Sequence, residues 1–185
     1  GGRLVLGVGI GSPAQGDFGL FGEETDPVRR AEMLDEGLAI LDGLWGGERF
    51  AYDGKHFHID EVRFRPRPVQ RPRIPVWVGG ALPLRRPMSR AARWDGAVPL
   101  RWEDHRLARP SAADIASVRD QVATERGNVN GFTLAVWAEV AADPAAVTAE
   151  LPDYADAGAT WWIETAKPET GWLDDLRARI ERGVG

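Results

Sequence analysis

The sequence predicts an α/β fold, parallel strands covered by helices, on three observations. From Pro75 onward, short β-branched apolar runs alternate with longer segments whose apolar residues recur every three or four positions. A strand-helix-strand order calls for parallel strands joined by helical crossovers. The same order already occurs once at the start of the chain, ahead of a proline-rich interruption. The chain has 185 residues, enough for one substantial core, so a single domain over 1–185 is expected, with an insertion at 48–74.

Taken in order, Arg3 to Gly11 (RLVLGVGIG) has the apolar density of a buried strand and ends in glycines. The strand begins almost at once after Gly1-Gly2, as expected if further units precede it. Asp26-Pro27 is a helix start, with Asp as cap and Pro in the first turn. Val28, Ala31, Leu34, Leu38, Leu41 and Trp45 then form an apolar stripe that Gly46-Gly47 closes.

Asp53-Gly54, between alternating apolar and polar residues, signals a two-residue hairpin turn. The stretch RFRPRPVQRPRIP after it is too rich in proline for an interior strand or a helix and should wrap the surface as an extended connector. The remaining expectations are strands at Val76 to Gly79, Gly96 to Leu100, Phe132 to Val140 and Thr160 to Thr165. Helices are expected near Arg85 to Trp94, Ala112 to Glu125, Ala145 to Ala157 and Leu173 to Arg182.

Two parallel architectures compete. GVGIGSPAQG has glycines, but not the spacing or the acidic partner of an open, dinucleotide-binding sheet. A closed barrel needs eight units and typically about 250 residues. The roughly five strand-helix units here would be most of a barrel with its first three units missing.

With 23 basic and 28 acidic residues the net charge is -5, which gives no general reason to bind nucleic acid or an anionic membrane. The one concentrated basic run, Arg63, Arg65, Arg67, Arg71 and Arg73, sits among prolines and is read as a structural wrap. No apolar run approaches the roughly 18 residues of a membrane span. Without cysteine there is no disulfide, thiolate nucleophile or cysteine zinc site, and a cytoplasmic location is the default expectation.

The candidate site lies where IPVWVGGA runs into LPLRRPMSRAARW. Glycines at a strand end let backbone amides approach a ligand, and the helix start that follows favours an anion, so Gly79-Gly80 reads as a phosphate loop or as a tight turn. Arg85 and Arg86 would add charge nearby. Gly7, Gly9 and Gly11 end their strand in the same way, though small residues inside a barrel also simply make room.

His56, His58 and Asp60 alternate and could share a face of metal-binding spacing, but a solvated hairpin face is favoured and no metal is assigned. His105 is read as a surface residue, Glu139 and Glu164 as partners of arginines, and Trp137, Trp161 and Trp162 as packing residues. A phosphate-binding isomerase or aldolase would need a lysine or carboxylate placed for carbon chemistry, and of the two lysines, Lys55 and Lys167, only Lys167 lies near a strand end.

The ordered pattern LW.G, Y.GK.F, RPRPVQ.P.IPVWVGG resembles the luciferase-like family of flavin- or deazaflavin-dependent oxidoreductases, and the resemblance covers almost the whole chain. It implies a (β/α)8 TIM-barrel type, incomplete, whose first three units have no counterpart here and which carries a hairpin insertion. It further implies FMN or F420 as cofactor, with its phosphate at Gly79, Gly80 and Ala81 and with Gly9 and Gly11 facing it. No catalytic acid or base is assigned, because the family segment that would supply candidates is missing.

The expected partners are a small-molecule substrate and a second copy of the chain, since five strands that cannot close leave sheet edges and an apolar inner face. The alternative is a truncated, non-catalytic barrel remnant that binds the cofactor or serves as an assembly subunit.

Overall fold

The computed structural model describes residues 1–11, 18–103, 106–139, 144–165, 173–174, 177 and 180–181. The chain divides into two compact units, Gly1–Val76 and Trp77–Gly185.

In the first unit, β1 (Leu6–Val8) is tied to the connector, with the Leu6 amide donating to the Pro75 carbonyl at 2.9 Å and Gln70 Nε2 to the Leu4 carbonyl at 2.6 Å. The helix α1 (Pro27–Trp45) starts as its sequence dictates: Asp26 Oδ1 accepts from the Val28 amide at 2.8 Å. Gly46 is still helical, and Gly47 takes the left-handed turn at φ 71°. Leu38 and Ile40 are buried, whereas Val28 is 55% exposed because it sits in the first turn, ahead of the helix face that meets the hairpin.

The hairpin of β2 (Arg49–Asp53) and β3 (His58–Arg63) is antiparallel, with a bulge between Phe50 and Tyr52. Asp53 pairs with His58, so the turn holds four residues, Gly54 to Phe57, rather than the two that Asp53-Gly54 suggested. The reason lies in α1. Glu36 accepts from the amides of Lys55, His56 and Phe57 at 2.9, 3.0 and 3.0 Å, which draws the longer turn onto the helix.

Burial alone would raise the Glu36 carboxyl, but the amides of His56, Phe57 and Lys55 outweigh it and hold the group below the usual carboxylate range. A Cβ at Gly54 would lie 2.3 Å from Glu36 Oε2, and one at Gly43 would enter the Phe50 ring. The L-W-x-G and Y-x-G-K pattern is thus a helix-hairpin lock. The connector that follows is irregular and largely exposed, pinned by Arg73 Nε on Asp42 at 2.8 Å.

In the second unit, β4 (Val76–Leu82), β5 (Gly96–Glu103), β7 (Thr133–Glu139) and β8 (Trp161–Thr165) run parallel in that order, and β6 (Arg106–Ala108) folds back antiparallel on the end of β5. The helices described over their full length in this unit are α2 (Arg85–Ala91), α3 (Ala112–Arg126) and α4 (Pro144–Ala157). Val78, Ala97, Leu134, Val136 and Ala138 are buried, as are Met88 on α2, Ile115, Val118 and Val122 on α3, and Tyr154 on α4. Each fully buried large aliphatic side chain contributes about 1.5–3 kcal/mol.

α3 opens on a capping box, Ser111 with Asp114, and closes on Gly127 at φ 84°. α2 stops three residues before Trp94 because the Arg93 and Trp94 amides turn back to the Arg90 and Ala91 carbonyls, and Arg126 Nη1 takes the Ala92 and Trp94 carbonyls at 2.8 Å each. Of the closing helix expected from Leu173 to Arg182, the described residues Leu173, Asp174, Arg177, Ile180 and Glu181 are helical, and the rest, like Val140, lie outside the described residues.

Candidate functional site

The register of β4 against β5 pairs Trp77 with Gly96, Gly79 with Val98, Gly80 with Pro99, Ala81 with Leu100 and Leu82 with Arg101. Gly79, Gly80 and Ala81 therefore stand inside the ladder, where a loop had been expected after Gly79. The glycines do not end the strand, because α2 packs directly onto it. A Cβ at Gly80 would lie 2.2 Å from Pro87 Cβ and 2.8 Å from Met88 Cε. Gly80 is buried on the helix side, while Gly79 and Ala81 alternate to the opposite face and are half-exposed. Past the strand, α2 begins at Leu84 with no side-chain cap, and Arg85 and Arg86 are exposed.

The parallel register sorts the sheet into two faces. Val78, Gly80, Ala97, Pro99, Leu134, Val136, Ala138, Trp162 and Glu164 share the helix side. Gly79, Ala81, Val98, Leu100, Thr133, Ala135, Trp137, Trp161 and Ile163 share the open side. Barrel chemistry sits at the C-terminal ends of strands. On the open face, that end holds Ala81, Leu100, Ile163 and, at the end of β8, the exposed Thr165, with Trp102 (43% exposed) beyond Leu100.

Trp161 lies toward the opposite end, edge-on to Trp77 at 5.3 Å between ring centroids. Trp162 packs on the helix side, 5.2 Å from Tyr154, and donates to Glu164 at 3.3 Å, which takes Glu164 off the open face. Glu139 ends β7 in register with Thr165, and its side chain is outside the described residues, as are His105 and Lys167.

Trp102 was not legible, because β5 was expected to stop at Leu100. The extension is held by Arg101, which donates to both Asp114 oxygens at 2.8 Å and to Glu103 at 2.7 Å. Burial pushes the Asp114 carboxyl up, yet the Ser111 amide and hydroxyl and Arg101 together hold it below the usual range.

In the first unit, the end of β1 leads to a cavity of about 170 Å³ that includes Gly9, Ile10, Phe18, Arg30, Met33 and Leu34 in its lining. The Arg30 guanidinium lies 3.3 Å from the Phe18 ring centroid. Gly11, at φ 66°, permits this: a Cβ there would lie 2.6 Å from Phe18 Cζ and 3.0 Å from Arg30 Nη2. Arg30 was missed because Arg29-Arg30 reads as a solvated pair, although Arg30 falls four residues before Leu34 on the apolar stripe.

The histidines separate. His56 sits in the turn, 2.8 Å from Glu32, while His58 is flanked by Asp53 and Asp60 at 3.2 and 3.4 Å, which raise its pKa. Among the described residues, no group of three or more metal-ligating side chains occurs. No described helix is long and apolar enough to cross a membrane.

The luciferase-like monooxygenase pattern matches residues 1–183, and the chain belongs to that family. An F420-dependent glucose-6-phosphate dehydrogenase of Microbacterium testaceum is 34% identical over 44% of this chain and 24% of its own length. An FMNH2-dependent dimethylsulfone monooxygenase of Pseudomonas putida is 28% identical over 51% of this chain and 26% of its own. Each match therefore spans about a quarter of the relative.

An F420-dependent secondary alcohol dehydrogenase in complex with an F420-acetone adduct superposes on the whole chain and on 70% of its own, at TM-score 0.69 and 13% identity. The fold is accordingly α/β of the (β/α)8 TIM-barrel type, with an incomplete set of units.

Proposed function

We propose that the chain serves a flavin- or F420-dependent oxidoreductase and holds the cofactor on the open face of its parallel sheet, with the phosphate at Gly79 to Ala81. The observation that carries this reading is the alternation at Gly79 and Ala81. Toward the C-terminal end of β4, these positions present at most a methyl group to the open side, so a ligand can approach the backbone closely. Gly80 is accounted for by the packing of α2 and is no evidence for a ligand.

When bound, such a cofactor supplies hydride transfer, or oxygen activation if it is a true flavin. This chain would contribute apolar side chains for the ring to lie against, Leu100, Trp137 and Trp102, toward the C-terminal end of that face. Gly11, just past the end of β1, is accounted for by the packing of Phe18 and Arg30 and is no evidence for this ligand. The relatives' named cofactors, F420 in one and FMNH2 in another, support the class and leave both as candidates.

Fluorescence titration of the purified chain with FMN and, separately, with F420 tests the reading. Saturable binding of one identifies the cofactor, and binding of neither by a folded chain contradicts the proposal.

A second reading is a non-catalytic assembly or cofactor-binding subunit that self-associates. It is favoured by the exposure of Trp161 (56%) on the open face, a large aromatic left to solvent. Sedimentation velocity separates the readings: a monomer at micromolar concentration argues against self-association through this face.

A further inference from the structure

We infer that the cavity at the end of β1 is an oxyanion subsite in which Arg30 holds a carboxylate or phosphate oxygen. This inference stands apart from the phosphate position at Gly79 to Ala81. Its core observation is that Arg30 Nη1 is buried and, among the described residues, has no hydrogen-bond partner. A guanidinium keeps its charge at any ordinary pH and presents five donors in a fixed fork. A buried donor with no acceptor is a cost that folded proteins seldom retain without a reason.

The head group is held in place by its stack on Phe18 and by the missing Cβ of Gly11. It cannot swing to water without breaking that stack. Nor do the acidic residues on the cavity wall neutralise it. Glu24 is committed elsewhere, with one oxygen accepting from the Asp26 amide at 2.9 Å and the other paired with Arg29 at 3.3 Å. Glu23 is exposed, and among the described residues neither carboxylate forms an ion pair with Arg30.

The floor supplied by Ile10, Met33 and Leu34 is apolar, so a charge-assisted bond to Nη1 forms away from bulk water, where it is strongest. The cavity thus offers one fixed cationic donor above an apolar floor, which suits the anionic end of a larger molecule.

The test is NMR of the arginine Nε–Hε signals in the ¹⁵N-labelled chain, with Arg30 assigned by the signal lost in Arg30→Lys. Inorganic phosphate and acetate are titrated separately at constant ionic strength. A saturable shift confined to Arg30 is expected. Phosphate alone indicates a phosphoryl ligand, acetate alone a carboxylate, and both a general oxyanion site. Arg30→Met, which keeps the apolar stem, should weaken the same binding roughly tenfold or more, read as the anion-induced rise in Tm. A folded chain whose Arg30 signal does not move with either probe overturns the inference. So does a shift that grows linearly and is shared by all arginines, since that reports ionic atmosphere only.

Discussion

The two faces of the parallel sheet in the second unit carry residues of similar apolarity and opposite fate. On the helix side, Val78, Ala97, Val136 and Ala138 are sealed to 0 or 1% exposure. On the open side, Gly79, Ala81, Val98 and Leu100 are only half-buried and Trp161 is 56% exposed, although Ala135 beside it is sealed. One face is where α2, α3 and α4 convert burial into stability. The other contributes less to the fold and is left available for a ligand or a partner. Substitutions should therefore separate cleanly by face.

Leu134→Ala, on the helix side, should cost about 2–5 kcal/mol, read from chemical denaturation as a lowered midpoint at unchanged slope. Next comes the glycine pair. Gly80→Ala drives a Cβ into Pro87 and should cost about 1–3 kcal/mol, whereas Gly79→Ala, one residue earlier on the half-exposed face, should change stability by no more than about 0.5 kcal/mol. Equal effects of the two would remove the distinction between the faces.

Ser111→Ala, which breaks the capping box of α3, should cost about 1 kcal/mol. It also bears on pH. The Asp114 carboxyl is held low in the folded chain, so its contribution is complete above the unfolded pKa and is lost as pH falls through the folded value. The acid limb of a Tm-pH profile should flatten in Ser111→Ala and flatten further in Asp114→Asn.

On the open face, Trp161→Ser should shift unfolding by less than about 1 kcal/mol, since it gives up mainly the edge contact to Trp77. Any self-association through the open face should weaken with it in sedimentation velocity.

Local punctuation was readable from the sequence: Asp26-Pro27 and Gly47 bound α1, and the parallel order of strands and helices followed from periodicity. What was not readable depends on residues distant in sequence. β4 runs through Gly79-Gly80 because α2 packs on Gly80, and the hairpin turn is four residues long because Glu36, 18 positions before Gly54, binds its amides. β6 is three residues, Arg106-Leu107-Ala108, too short to carry a strand signal of its own. Of the candidate positions, Gly79 and Gly80 were picked out by residue type and Ala81 by the family resemblance, but which glycine faces away from α2 came only from the register. Arg30 looked like one of two surface arginines until its buried nitrogen was located.

The most direct measurement compares the FMN and F420 affinities of the native chain with those of Gly79→Asp, checking that Tm is preserved. The account predicts at least roughly tenfold weaker binding of the cofactor that the native chain takes, because a carboxylate on the open face repels the phosphate at close range while the helix side is untouched. Unchanged affinity in a stable Gly79→Asp chain would contradict the assignment of the open face of β4 to the cofactor phosphate.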